Sequence, residues 1–258
     1  MPVALLAGGL GSRLSEETET KPKPMVEIGG RPVLWHIMKY YSHFGFRRFN
    51  VALGYRGEYI KRWFSEYASL ATDLTVHTKA GLVVPLHNGN GDEVEDWEVS
   101  LVDTGRLTGT GGRIKRIGEM LDRPFMLTWG DGLSTVDLHG LLRFHQGHGK
   151  HVTLTAVRPP ARFGHIELDG DHIVEFSEKV QTKEGWINGA FFVVNPEALD
   201  YIDGDNTSWE RDPLEQLAAD GELMAYRHEG FWQCMDTRRD RNVLEKIWQT
   251  DDIPWKVW

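Results

Sequence analysis

The sequence predicts an α/β protein in which a mostly parallel sheet is flanked by helices and the C-terminal half is richer in strand. Three observations lead there. The chain opens with "PVALLA" (2–7), an apolar run closed by Gly8-Gly9, as suits a strand buried on both faces. Up to residue 157, similar runs alternate with stretches of helical period, the pattern of parallel strands joined by crossover helices. After "RPP" (158–160) the pattern changes to short segments broken by Asp and Gly.

Each element has its own signal. "RPVLWHIMKYYSHFGF" places Val33, Leu34, Ile37, Met38 and Tyr41 on one helical stripe, with Pro32 at the start and Gly45 at the end. "FNVAL" (49–53) is a second strand, Tyr59, Ile60, Trp63, Phe64 and Tyr67 mark a second helix, and "DLTVHT" (73–78) is expected as a third strand. Residues 81–96, rich in Gly and Asn, have no clear period and read as an excursion. "VSLVDTG" resumes the pattern as strand, "GGRIKRIGEML" as helix and "PFMLTWGDG" as strand, then a helix near 137–147 and a strand at 151–157. A hairpin turning at Asp169-Gly170-Asp171 follows, then a strand in "WINGAFFVVN". A helix over 209–219, a strand over 222–228 and an amphipathic helix over 238–249 end the chain. No stretch reads as a linker, so a single domain over 1–258 is expected.

Composition narrows the function classes. A formal net charge of −9 disfavours non-specific binding to nucleic acid or an acidic membrane, yet allows a small anion held by local cations. The single cysteine, Cys234, forms no intramolecular disulfide, which suits a reducing compartment. With no apolar run of membrane-spanning length and no signal-peptide pattern, a soluble cytoplasmic protein is expected.

The stretch "LLAGGLGSRLSEETETKPKPM" (5–25) leaves a strand through glycines and then supplies cations, as loops do whose backbone N–H groups meet phosphate oxygens. It is not a P-loop, because Gly11 is followed by Ser12-Arg13, and Leu14 stands where a dinucleotide fingerprint needs Gly or Ala. Lys23, between Pro22 and Pro24, sits on a stiffened backbone and needs less ordering on binding. Asp131 in "TWGDG" reads either as a turn Asp-Gly or as a ligand at the carboxyl edge of a sheet. Asp236 in "CMDT" reads either as the N-cap of the last helix or as a partner carboxylate for a hard cation. Asp103 in "LVDTG" reads as structural. His145 and His148, three apart, lack an evident third ligand, and Cys234 reads as a small buried side chain.

"LAGGLGSRL" followed by "KPKPM" is similar to the signature of the sugar-1-phosphate nucleotidylyltransferases. The match continues in order through "VEIGGRPVLWHIMKYYSHFG", "LVDTG", "TGGRIKR", "GDG", "RFG", "INGAFFVVNP" and "GFWQCMDT", nearly the whole chain. The resemblance implies a Rossmann-like fold of the nucleotide-diphospho-sugar transferase type. It implies a nucleotide-binding part over about 1–135 and a sugar-phosphate and metal part over about 136–258. It is strongest toward members that join CTP and α-D-glucose 1-phosphate, and it implies Mg²⁺ and a homo-oligomer, with hexamers the associated form. By motif, Arg13 would neutralise the β- and γ-phosphates and Lys23 the α-phosphate region. Leu6, Ala7, Gly8, Gly9, Gly11, Ser12, Thr104, Gly111, Gly112, Arg113 and Asp131 would line the nucleotide. Asp131 and Asp236 would hold the metal, and Gly164, Glu178, Lys179, Asn188 and Gly189 the sugar phosphate; Val180 replaces the usual proline after Lys179. Arg113 is the expected cytosine reader, since a guanidinium can donate to O2 and N3 together. The competing readings are the same chemistry with UTP, dTTP or GTP or another sugar phosphate, and a silent sugar-nucleotide-binding regulator.

Overall fold

A computed structural model of the chain describes residues 1–11, 14, 18–86, 94–159, 165–169, 172–177 and 185–258. Strand β1 (Val3–Leu6) is buried along its whole length, which its four apolar residues allow. A small hairpin of β2 (Glu27–Ile28) and β3 (Arg31–Pro32) leads into α1 (Val33–His43). There follow β4 (Arg48–Leu53), α2 (Gly57–Ala71), β5 (Asp73–His77), β6 (Leu82–Leu86), β7 (Glu98–Asp103), α3 (Thr110–Leu121), β8 (Phe125–Trp129), β9 (Gly132–Ser134) and α4 (Leu138–His148). The later half adds β10 (Val152–Val157), β11 (His165–Asp169), β12 (His172–Ser177), β13 (Ile187–Val194), a 3-10 turn (Pro196–Tyr201), α5 (Asp212–Ala219), β14 (Leu223–His228), β15 (Trp232–Cys234) and α6 (Arg238–Trp248).

One seven-stranded sheet, ordered β14-β10-β13-β8-β1-β4-β7, takes strands from both halves. β1 runs parallel to β4 and β8, β4 to β7 and β10 to β14, while β13 is antiparallel to both its neighbours. The sheet separates two apolar layers. Residues of α1, α2, α4 and α6 pack with Trp255 on one face, and Ile114, Ile117, Leu199 and Leu217 of α3, the 3-10 turn and α5 on the other. From β1 the chain builds outward through β4 and β7, then returns to β1's other side as β8. That reversal opens a crevice at the carboxyl ends, the usual ligand position in open α/β sheets.

The mostly parallel α/β architecture is as the sequence predicts, with one correction. "DLTVHT" is not a third strand of the main sheet. It forms β5 and pairs antiparallel with β6, Asp73 facing Leu86 and His77 facing Leu82, and β6 is a strand within the 81–96 stretch that lacks a clear period. The place beside β4 goes to β7, with Arg48 opposite Glu98 and Leu53 opposite Asp103. β5 lacks the continuous apolar character of a strand covered on both faces, and Val76 is 55% exposed.

Candidate active site

A cleft of about 390 Å³ opens at the crevice, bordered by the 6–11 loop, Lys23, Pro24, the 106–110 segment, Arg113, the 129–131 turn and Asp236. Its floor is made by strand ends: Gly130 N–H donates to Leu6 O (2.9 Å) and Ala7 N–H to Ala52 O (3.1 Å).

Lys23 reaches the cleft from a 3-10 turn (Lys23–Met25) that Pro22 enters in extended conformation. Asp131 follows β8. Asp236, more than 100 residues later, is brought beside it because β15 pairs antiparallel with β9, Cys234 against Gly132, and Met235 N–H donates to Asp131 O (2.8 Å). The N-cap of α6 is Thr237, not Asp236: Thr237 and Asp240 form a capping box. Asp236 is thereby left to face the cleft. Lys23 Nζ donates to Asp131 Oδ2 at 2.6 Å and to Asp236 Oδ1 at 2.5 Å. Burial alone pulls the lysine pKa down, but the charges and hydrogen bonds of Asp131 and Asp236 outweigh it and hold the ammonium above its ordinary value.

Arg113, on the first turn of α3, is buried and borders the cleft. Nη1 donates to Leu53 O (2.9 Å) and Thr104 Oγ1 (2.8 Å), and Nη2 to Gly8 O (3.1 Å) and Arg106 O (3.4 Å). Thr104 lies behind it, its own hydroxyl donating a hydrogen bond to Leu53 O (2.7 Å). Gly8 and Gly54 make room for the guanidinium: a Cβ at either would fall within 2.4 Å of Nη1. Gly9 differs, since a Cβ there would meet nothing within 4 Å; its backbone stands open to the cleft. Gly11 has φ +64° and packs against Thr18, so it shapes the loop.

Other expected positions lie off the cleft border. Gly111 and Gly112 let α3 pack on the 205–207 segment, Thr207 O lying 2.9 Å from a Cβ at Gly111 and Asp205 Cα 2.7 Å from one at Gly112. Asn188 and Gly189 lie at the start of β13, which runs antiparallel to β8 and so begins at the sheet edge where β8 ends in Trp129. There Asn188 Oδ1 accepts from Ala190 N–H (2.7 Å), and Ala190 adopts φ +61° beside an irregularity in the β10–β13 pairing. A non-glycine residue in that conformation is strained and recurs near functional sites. Ser12, Arg13, Gly164, Glu178 and Lys179 lie outside the described residues.

Sequence reading missed part of the wall. Trp129 borders the cleft and stacks on Phe192 (centroids 5.0 Å apart, 28° between planes), and its Nε1 donates to Glu210 Oε1 (3.2 Å). Glu210 Oε2 accepts from Thr110 Oγ1 (2.6 Å), tying the two sides of the cleft together. Position next to "GDG" was a usable signal for Trp129; nothing local marks Glu210. Asp103 accepts from Gly105 N–H (2.9 Å), a turn contact. The Cys234 thiol is pushed up to about 12 by burial, then by Asp236 and Asp131, which makes it a poor nucleophile. Among the described residues no cluster of three or more His, Cys, Asp or Glu side chains is placed to hold a metal. The Asp131–Asp236 pair still fits a hard cation that takes few protein oxygens and fills its shell with water and phosphate, because both carboxylates already converge on one positive charge.

The model of the family described as "Nucleotidyl transferase" matches residues 3–237. A glucose-1-phosphate cytidylyltransferase of Salmonella typhi is 48% identical over 260 residues, covering 100% of both chains. A probable glucose-1-phosphate cytidylyltransferase of Bacillus subtilis is 40% identical, again covering 100% of both. Among solved structures, HddC from Yersinia pseudotuberculosis superposes with a TM-score of 0.68 at 23% identity, covering 95% of this chain and 98% of that one, which speaks to fold alone. No described helix is long and apolar enough to cross a membrane. The chain belongs to the nucleotidyl transferase family.

Proposed function

We propose that this protein is a glucose-1-phosphate cytidylyltransferase, transferring the cytidylyl group of CTP to α-D-glucose 1-phosphate to give CDP-glucose and pyrophosphate. The observation that carries the reading is 48% identity to a curated enzyme of that activity along the full length of both chains. The convergence of Lys23, Asp131 and Asp236 on one point of the cleft supports the chemistry.

A phosphate oxygen of the sugar phosphate attacks the α-phosphorus, a new O–P bond forms, and the bond to the β-phosphate oxygen breaks as pyrophosphate leaves. The attacking oxygen is already ionised at neutral pH, so no general base is needed. The obstacle is bringing like charges together, and the remedy is fixed cations and alignment. Lys23 receives charge at the α-phosphate. Arg13 takes the β- and γ-phosphates, in keeping with the family loop. The open backbone at Gly9 lets phosphate approach closely. Asp131 and Asp236 would hold Mg²⁺, which when bound neutralises phosphate oxygens and orients them. Lys179 and Glu178, with Asn188, Gly189 and Gly164, form the sugar side. Arg113 meets cytosine by exchanging its longest bond, 3.4 Å to Arg106 O, for the base, an exchange that offers one Nη donor rather than the expected two while Leu53 O, Thr104 Oγ1 and Gly8 O keep the others. The single domain acts as a homo-oligomer, hexameric in this reading, in the cytoplasm.

The test is product identity. CTP and glucose 1-phosphate with Mg²⁺ should give CDP-glucose by mass, and CDP-glucose with pyrophosphate should return CTP. Absence of both directions removes the assignment.

A further inference from the structure

Lys23 stands where the carboxylates of Asp131 and Asp236 converge. Its Nζ lies 2.6 Å from Asp131 Oδ2 and 2.5 Å from Asp236 Oδ1, and the three side chains are only 13%, 21% and 15% exposed. Two carboxylates held this close by the β9–β15 pairing would repel without a cation between them. Pro22 and Pro24 fix the backbone on either side, so the ammonium leaves the pair only by a movement of its own side chain.

We propose that Lys23 is a resident counter-ion that keeps a divalent cation off the Asp131–Asp236 pair until a nucleotide arrives, so that metal and nucleotide enter together. The proposal rests on the metal assignment of the preceding subsection. The cation must first displace two charge-assisted hydrogen bonds, which are among the stronger ones in proteins. The nucleotide removes that obstacle, because its α-phosphate gives the ammonium another partner and frees both carboxylates. Metal and nucleotide are then positively coupled, each favouring the other. The device also prevents a metal alone from occupying the reacting centre in a geometry set without substrate.

The experiment uses Mn²⁺ as the probe, with bound and free ion separated by electron paramagnetic resonance and no nucleotide present. Wild-type protein should bind weakly, and Lys23→Met should bind at least ~10-fold more tightly. Adding Asp131→Asn and Asp236→Asn to that variant should abolish the gain. Far-UV circular dichroism checks the fold, and Lys23→Gln replaces Lys23→Met if the latter does not fold. A parallel titration with CTP present compares wild type with Asp131→Asn/Asp236→Asn. If the carboxylates matter for Mn²⁺ there but Lys23→Met and Lys23→Gln bind no tighter than wild type, the counter-ion role is wrong. If the carboxylates do not matter even with CTP, the metal assignment itself fails and the proposal falls with it.

Discussion

At Gly8 an added Cβ would sit 2.3 Å from Arg113 Nη1, and at Gly54 it would sit 2.4 Å from the same atom. The glycine that ends β1 is therefore demanded by an arginine more than 100 residues away as well as by any phosphate. Gly8→Ala should displace the guanidinium and cost ~1–3 kcal/mol by overcrowding, read by urea unfolding. It should also narrow the ratio of kcat/KM for CTP over UTP. A full-stability variant with unchanged selectivity would separate Arg113 from base choice. Asp236 carries a second prediction. Asp236→Asn keeps the shape of the side chain and leaves the Thr237 cap in place, so the fold should survive while kcat falls ~10²-fold or more, the scale of losing an electrostatic contact to the reacting group. Wild-type turnover with Mg²⁺ as the only metal would contradict the role given to Asp236. At this scale the sequence was informative where a residue sits inside a motif: Lys23, Asp131 and Asp236 were all picked out and all meet. It was silent on Glu210, whose partners Trp129 and Thr110 depend on the folding of three separate segments.

Between α4 and the sheet, five hydrogen bonds form a closed ring. Lys150 N–H donates to His148 Nδ1 (2.9 Å), so neutral His148 donates from Nε2 to Thr153 Oγ1 (2.7 Å). Thr153 then donates to His145 Nδ1 (2.8 Å), His145 Nε2 to Asn195 Oδ1 (3.0 Å), and Asn195 Nδ2 to Lys150 O (3.1 Å). This accounts for the His145–His148 spacing without a metal: the i, i+3 pair on α4 shares one buried hydroxyl. Thr153→Val leaves both rings short of a partner and should cost ~1–3 kcal/mol; an unchanged urea midpoint would show the ring to be idle. The same scale explains why the β5–β6 hairpin was misread. A five-residue run with mixed polarity fits either an exposed hairpin or an edge strand, and only the competition with β7 for the side of β4 decides between them. By contrast, β1, β8 and α1 were legible because their burial is continuous or strictly periodic.

Across the whole molecule, buried neutral histidines set a direction for acid sensitivity. Burial pulls His36 to about 4, against hydrogen bonds to the Ile28 and Arg31 backbone, and burial also lowers His145, His148 and His228. A histidine whose folded pKa is depressed takes up its proton sooner when unfolded. Its contribution is therefore full above ~6.5 and is lost as pH falls toward the folded value. The melting temperature should drop by ~5 °C between pH 7.5 and pH 5, and a flat profile over that window would contradict the buried-neutral assignment. The assembly of the cleft is also a whole-molecule property: its walls come from residues 6–11, 23–24, 106–110, 113, 129–131 and 236, joined only because β1 lies between β4 and β8. If this cleft joins cytidylyl to glucose 1-phosphate, each turnover releases pyrophosphate, and that release is what to measure. Glucose 1-phosphate and Mg²⁺ are offered with CTP, UTP, dTTP, GTP and ATP in turn. Turnover confined to CTP is the predicted result; turnover with another nucleotide in preference to CTP, or with none of the five, would contradict it.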